Sequence, residues 1–326
     1  MQLPDRVRRR IEERAEEVGF PALKRAATAM SEAYREGRAG AVAGIPAAQR
    51  LAAYLVTRMP ATYAAAFHVL REVSERLTEA PRSVLDIGAG TGAASLAARQ
   101  FFPDATITMM ERDSTLAEAA GDWLPDAKRA AADATRLETF PESDLIIAAY
   151  SLGEMPGLRV ERLWAAARVA LVVIEPGTPR GFGLVRKVRD ELLAAGAHVA
   201  APCPGDAACP VTGGDWCHFA ARVERSSLHR RVKGGELGHE DEKYSYVALT
   251  RRAVHRAAAR IVRHPQQQPG VITIQACTPA GLRQIRITKR DREAFRAARK
   301  AGWGSVWDSP APAETLPSSP EDDRDS

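Results

Sequence analysis

Apolar positions recur every three to four residues in the first part of the chain: Leu51, Tyr54, Leu55 and Met59, then Tyr63, Phe67, Leu70 and Val73, with Pro46 and Pro60 as punctuation. That is the period of a helix with one buried face, and it predicts an all-helical segment over 1–78. From about residue 82 the pattern changes. Short apolar, β-branched runs (SVLDIG, ATITMME, SDLIIAAY, ALVVIE) alternate with Ala-rich helical stretches over roughly 92–100, 114–121 and 159–168. Such alternation predicts a doubly wound α/β core over 79–200, a parallel sheet with helices on both faces. A Pro/Gly-rich loop at 201–214 leads to the strand-like runs HFAARV, YSYVALT, GVITIQA and RQIRIT. The last two, separated by CTPAGL, read as a hairpin, so 201–307 is expected to hold the last core strands and a β subdomain. Residues 308–326 carry too few apolar side chains to order themselves and read as a disordered acidic tail.

Composition narrows the classes. The 326 residues are 45% apolar, ordinary for a folded chain of roughly two domains. No run approaches the roughly 18 apolar residues that span a bilayer, and MQLPDRVRRRIEERAEE has no apolar stretch behind its charges. The expectation is a cytoplasmic protein, monomeric when free and away from membranes. Four cysteines are too few for a disulfide scaffold; in a reducing compartment, clustered thiols point to metal or catalysis. The formal charge of +5 hides an asymmetry. Residues 222–300 hold nineteen Lys/Arg against seven acids, whereas 308–326 hold six acids against one base. Positive charge concentrated this way favours a polyanionic partner such as RNA.

The most specific short signal is VLDIGAGTGAASLAA: an apolar strand ending in Asp86, then Gly88, Gly90 and Gly92, then a helix. Glycines here let the chain turn sharply and lie against a ligand, and the helix N-terminus behind them offers free N–H groups. The spacing is neither GxGxxG nor a Walker loop. It resembles the first motif of class I S-adenosylmethionine-dependent methyltransferases, D/E-x-G-x-G-x-G. That resemblance implies cofactor binding by Asp86, Gly88, Gly90 and Gly92. It further implies that Glu111, at the end of ITMME, accepts from both ribose hydroxyls, and that Asp133 in AADATRL meets the adenine amino group. After the fourth strand, AAYSLGEMPG offers Tyr150, Ser151 and Glu154 as candidate catalytic residues where ligands bind in such sheets. It lacks the Asn/Asp-Pro-Pro-Tyr-like turn of amino-methylating enzymes and the Pro-Cys nucleophile of RNA cytosine enzymes. Packing or capping roles for these three residues stand beside catalysis.

Three of the four cysteines, Cys203, Cys209 and Cys217, fall in PCPGDAACPVTGGDWCH, and Cys277 lies in the later run ITIQAC. The short C-x₂₋₄-C knuckle of zinc sites is absent. A Cys₄ iron–sulfur cluster accepts more varied spacing, so it ranks ahead of zinc. His218, adjacent to Cys217, normally points elsewhere. With RMPATYAA at 58–65, PCPGDAACP with DWCHF, and VKGGELGHEDEKYSYVAL at 232–249, these cysteines make the sequence similar to the methyltransferase-like assembly-factor family of the small ribosomal subunit, known from mitochondria and with bacterial relatives. The resemblance implies a [4Fe–4S] cluster on Cys203, Cys209, Cys217 and Cys277, and action on small-subunit ribosomal RNA and its precursor particle. The absence of a transit segment suits a bacterial cytoplasm. Candidate RNA contacts are Arg230, Arg231 and Lys233 beside Gly234-Gly235, and Arg283, Arg286, Lys289 and Arg290 near the hairpin. An active S-adenosylmethionine-dependent rRNA methyltransferase, or a small-molecule methyltransferase with a zinc site, are the alternatives.

Overall fold

The computed structural model describes residues 1–35, 44–308 and 315–317. Four helices open the chain: α1 (Asp5–Val18), α2 (Phe20–Arg35), α3 (Ala47–Thr57) and α4 (Met59–Arg76). Pro46 caps α3 and Pro60 stands in the first turn of α4, positions where a missing N–H costs nothing. The core alternation that follows runs β1 (Ser83–Ile87), α5 (Ala93–Phe101), β2 (Thr106–Met110), α6 (Ser114–Ala120), β3 (Lys128–Ala130), β4 (Ser143–Ala149), α7 (Val160–Ala166), β5 (Ala167–Pro176), α8 (Pro179–Ala194) and β6 (His198–Ala201). Then come β7 (Phe219–Glu224), α9 (Ser227–Lys233) and β8 (His239–Thr250).

These strands form one sheet ordered β3-β2-β1-β4-β5-β8-β6, with β7 paired to β8. The five strands from β3 to β5 are parallel; β8 runs antiparallel to β5, β6 and β7. The expected purely parallel sheet is therefore mixed, because β8 inserts in reverse between β5 and β6. Alternation along the strands divides the core in two. Leu145, Ile147, Val172 and Ile174 face the layer made by the N-terminal helices with α5 and α6, whereas Ile146, Leu171 and Val173 face α7 and α8.

A second, smaller sheet follows: β9 (Ala259–Ile261), β10 (Gln266–Gln268), β11 (Val271–Thr278), β12 (Gly281–Thr288), α10 (Arg292–Lys300), β13 (Val306–Trp307) and β14 (Thr315–Pro317), in the order β13-β9-β11-β12-β14 with β10 on β11. Ile261, Ile272, Ile274, Ile285, Ile287 and Trp307 form its own core with Ala294 and Ala298 of α10. The β11–β12 hairpin expected from the sequence is present, with Thr278 paired to Gly281. Thr315–Pro317 departs from the expected disorder of 308–326, since it pairs with β12. An unpaired strand edge offers backbone hydrogen bonds that a short segment can take up. Residues 309–314 and 318–326 lie outside the described residues.

Candidate functional site

Asp86 ends β1 with 1% of its surface exposed, and its Oδ2 accepts from the Ser95 backbone N–H at 3.1 Å and the Ser95 hydroxyl at 2.7 Å. Burial raises its pKa to about 6. Gly88, Gly90 and Gly92 take φ of 65°, 54° and 73°, the left-handed region that favours glycine. At Gly88 a Cβ would fall on Met155 Cε and stand 2.7 Å from Ser151 Cβ, so shape as well as φ requires glycine there. The neighbouring strands β2 and β3 end beside this loop, which brings Glu111 and Asp133 to the same edge of the sheet. Glu111 Oε2 accepts from Gly90 N–H at 2.8 Å and its Oε1 from Asp113 N–H at 2.9 Å, so the carboxylate ties the glycine loop to the start of α6. Asp133 caps the short turn behind it by accepting from the Thr135 hydroxyl and N–H at 2.6 and 3.0 Å; those bonds lower its pKa.

Beyond β4, Tyr150 holds a positive φ of 56°, unusual for a side chain with a Cβ. The Tyr150 hydroxyl is buried against Glu242. The Ser151 hydroxyl donates to the Ile87 carbonyl at 2.8 Å. Burial raises the pKa of Glu154. The sequence reading missed Glu175 at the end of β5. It is 3% exposed, accepts from the N–H groups of Leu152 and Gly153 at 3.0 and 3.3 Å, and burial lifts its pKa to about 7. The only available signal was the acid closing the apolar run ALVVIE. Two further residues come from the N-terminal helices: the Tyr54 hydroxyl lies 4.0 Å from where a Gly90 Cβ would sit, and Arg58 stands 3.8 Å from Glu242. Helices α3 and α4 thus roof the glycine loop.

The four cysteines also meet. Cys203, Cys209, Cys217 and Cys277 line one cavity of about 70 Å³, where the loop after β6 and the residues before β7 face β11. Burial pushes the thiols of Cys203 and Cys217 up, and it takes Cys277 to about 12, with the neighbouring sulfurs adding to the effect. Metal binding requires the thiolate form. Among the described residues no three His, Cys, Asp or Glu side chains are set closely enough to hold a metal ion, so the sulfurs share a cavity without forming a coordination sphere. His218 is not part of the cavity wall; its ring stacks on Trp216 at a centroid distance of 5.5 Å and lies tilted against Trp303 at 4.6 Å.

The basic residues fall on two elements. Arg230, Arg231 and Lys233 are exposed on α9, where Arg231 covers the Phe20 ring at 4.5 Å and Lys233 pairs with Glu240 at 2.9 Å. Arg286, Lys289 and Arg290 are exposed on β12 and the turn after it, with Arg283 half-buried beside them. No described helix is long and apolar enough to cross a membrane.

The sequence pattern of the family described as mitochondrial small ribosomal subunit Rsm22 matches residues 48–308, which takes in the glycine loop, the first sheet, β9 to β13 of the second and all four cysteines. The chain belongs to the Rsm22 family. Among curated relatives, the human ribosome assembly protein METTL17, mitochondrial, is 25% identical over 84% of this chain and 66% of its own length. The Rsm22-cox11 tandem protein 2, mitochondrial, of Schizosaccharomyces pombe is 25% identical over 78% of this chain and 42% of its own. The chain therefore spans less than two thirds of the Rsm22-family relatives it matches. Their names overturn the cytoplasmic expectation, since both are mitochondrial proteins. The lack of long apolar runs does not distinguish one compartment from another. Solved structures with some likeness include the plantazolicin methyltransferase BpumL in complex with SAH (13% identical, 76% of this chain and 99% of that one, TM-score 0.41). Another is precorrin-6y C5,15-methyltransferase from Geobacter metallireducens (15%, 57% and 87%, TM-score 0.39). At these scores the likeness carries no argument, and the fold description rests on the strand order itself.

Proposed function

We propose that this chain is an assembly factor of the small ribosomal subunit that binds its RNA, and that its methyltransferase-type sheet serves as a cofactor-binding platform. The observation that carries this reading is the family match over 48–308, because it spans the glycine loop and the cysteine cavity together. The edge formed by Asp86, Gly88, Gly90, Gly92, Glu111 and Asp133 suits S-adenosylmethionine: a tight positive-φ loop for the amino-acid end, and carboxylates with lone pairs left over that would accept from the ribose and adenine. The chain's own residues there bind and orient. Ser151 is committed to a backbone carbonyl, and Glu175 holds the turn after β4 by two N–H groups, which favours binding over methyl transfer.

The cysteine cavity suits a [4Fe–4S] cluster, with zinc as the alternative. Four soft donors converge on it, and a buried N–H on its wall, Arg189 Nε, finds no acceptor among the described residues. When bound, the group would supply cross-linking energy, joining β11 to the loop after β6. The basic residues on α9 and β12 would then reach phosphates.

Co-sedimentation with small-subunit precursor particles tests the reading. The chain should pellet with them, with affinity falling as salt rises through counterion release; pelleting in proportion to any RNA present would reject it. Anaerobic purification should yield a brown protein, and stoichiometric zinc without iron would remove the cluster.

A further inference from the structure

The cysteine cavity has a buried cation in its wall. Arg189 on α8 is 4% exposed and lines the cavity together with the four cysteines. Its Nη1 donates to Asp190 Oδ1 at 2.7 Å. Its Nη2 donates to the carbonyls of Gly205, at 3.4 Å, and Ala207, both in the loop between Cys203 and Cys209. Its Nε–H is left buried without an acceptor among the described residues.

A second buried cation, Arg260 on β9, stands opposite Cys277 in the strand register and is 3% exposed. Four of its five N–H groups are already used: Glu72 takes both Nη groups, and the carbonyls of Pro202 and Gly304 take Nε and Nη1. Among the described residues, Arg189 is the cation of the cavity wall whose buried Nε–H has no acceptor. Leaving such a donor unmade is costly, and natural interiors rarely keep one without a use. Four thiolates carry more negative charge than a zinc ion or an oxidised cluster core carries positive charge, so a buried cation on the wall matches a loaded cavity.

We propose that Arg189 is the positioning residue of a metal–thiolate group held by Cys203, Cys209, Cys217 and Cys277. This rests on the cluster reading above. The guanidinium fixes the loop between the first two cysteines by its carbonyls, presents Nε–H to the Cys203 sulfur, and offsets part of the negative charge. Partners of this kind orient metal ligands, and their loss weakens metal binding ten- to a hundredfold. Hydrogen bonds to cluster sulfurs also set the reduction potential.

The test compares anaerobically purified full-length wild type, Arg189→Met and Arg189→Lys. Iron, sulfide and zinc per chain are measured first, then the rate of metal loss to EDTA, then the midpoint potential of one-electron reduction. Arg189→Met should lose metal at least tenfold faster and show a roughly tenfold lower ratio of reduced to oxidised cluster at a given potential, a shift of about 59 mV. Arg189→Lys keeps the charge and should recover most of the potential while still releasing metal faster, because an ammonium cannot fork the two carbonyls and also reach the sulfur. A loaded wild type with both variants matching it in release and potential overturns the assignment of Arg189 alone. If Arg189→Met does not fold, Arg189→Lys decides: faster release supports the assignment and wild-type release overturns it. A wild type that holds zinc is judged by the EDTA arm in the same way. A wild type holding neither metal overturns the cluster reading, and this inference with it.

Discussion

Glu175 shows how a single buried carboxyl governs the strand ends. Its pKa is raised in the fold to about 7, so the folded state binds its proton more tightly than the unfolded chain does. Its contribution to stability is present below the ordinary carboxylate range and is lost as pH rises through about 7. The shift from the reference value of 4.5 corresponds to on the order of 3 kcal/mol. Glu175→Gln, whose amide oxygen still accepts from Leu152 and Gly153, should therefore flatten the fall in stability between pH 4.5 and 7; urea midpoints across that range check it. Gly88→Ala places a Cβ on Met155 and Ser151 at a positive φ and should cost about 1–3 kcal/mol, read by the same measurement. The two residues differ in how visible they are in sequence. Gly88 is legible because its spacing to Gly90 and Gly92 repeats a recognised turn. Glu175 is hidden at the end of an apolar run, and its role depends on the separate turn at Leu152 that folds back onto it.

At the scale of elements, the strands and helices of the core were readable wherever the apolar period was strong: β1, β2, β4 and β5 follow from their β-branched runs, and α3 and α4 from the helical stripe. Helix α8 was not, because Gly181, Gly183 and a run of charges dilute its period. Gly181 is needed there since a Cβ would collide with the Pro176 carbonyl. The position of β8 was also beyond sequence, as strand order depends on which edge the chain returns to. An ion pair joins the helical layer to the second sheet: Arg260 of β9 to Glu72 of α4, which also accepts from the Tyr246 hydroxyl at 3.0 Å. Glu72→Ala strands a buried guanidinium and should cost about 3–5 kcal/mol by thermal or urea unfolding, whereas removing an exposed pair such as Arg222–Asp241 should cost under about 1 kcal/mol.

For the whole molecule, the clustering of positive charge between residues 222 and 300 was plain from sequence, as were the groups around Arg230 and Arg286 that the structure puts on α9 and β12. Spacing alone could not show that Cys277, sixty residues after Cys217, reaches the same cavity; β11 must first pair with β9 to bring it there. The phosphate contact proposed for β12 has a quantitative signature. Arg286→Ala should weaken RNA binding uniformly across sequences and reduce the slope of log affinity against log salt by about 1. The central claim is that this chain acts on the small ribosomal subunit, and cross-linking to RNA in living cells tests it most directly. The prediction is cross-links concentrated in small-subunit ribosomal RNA and its precursors, strongly reduced when Arg283, Arg286, Lys289 and Arg290 are together changed to Gln. Cross-links spread over all RNAs in proportion to their abundance, and unaffected by that change, would contradict it.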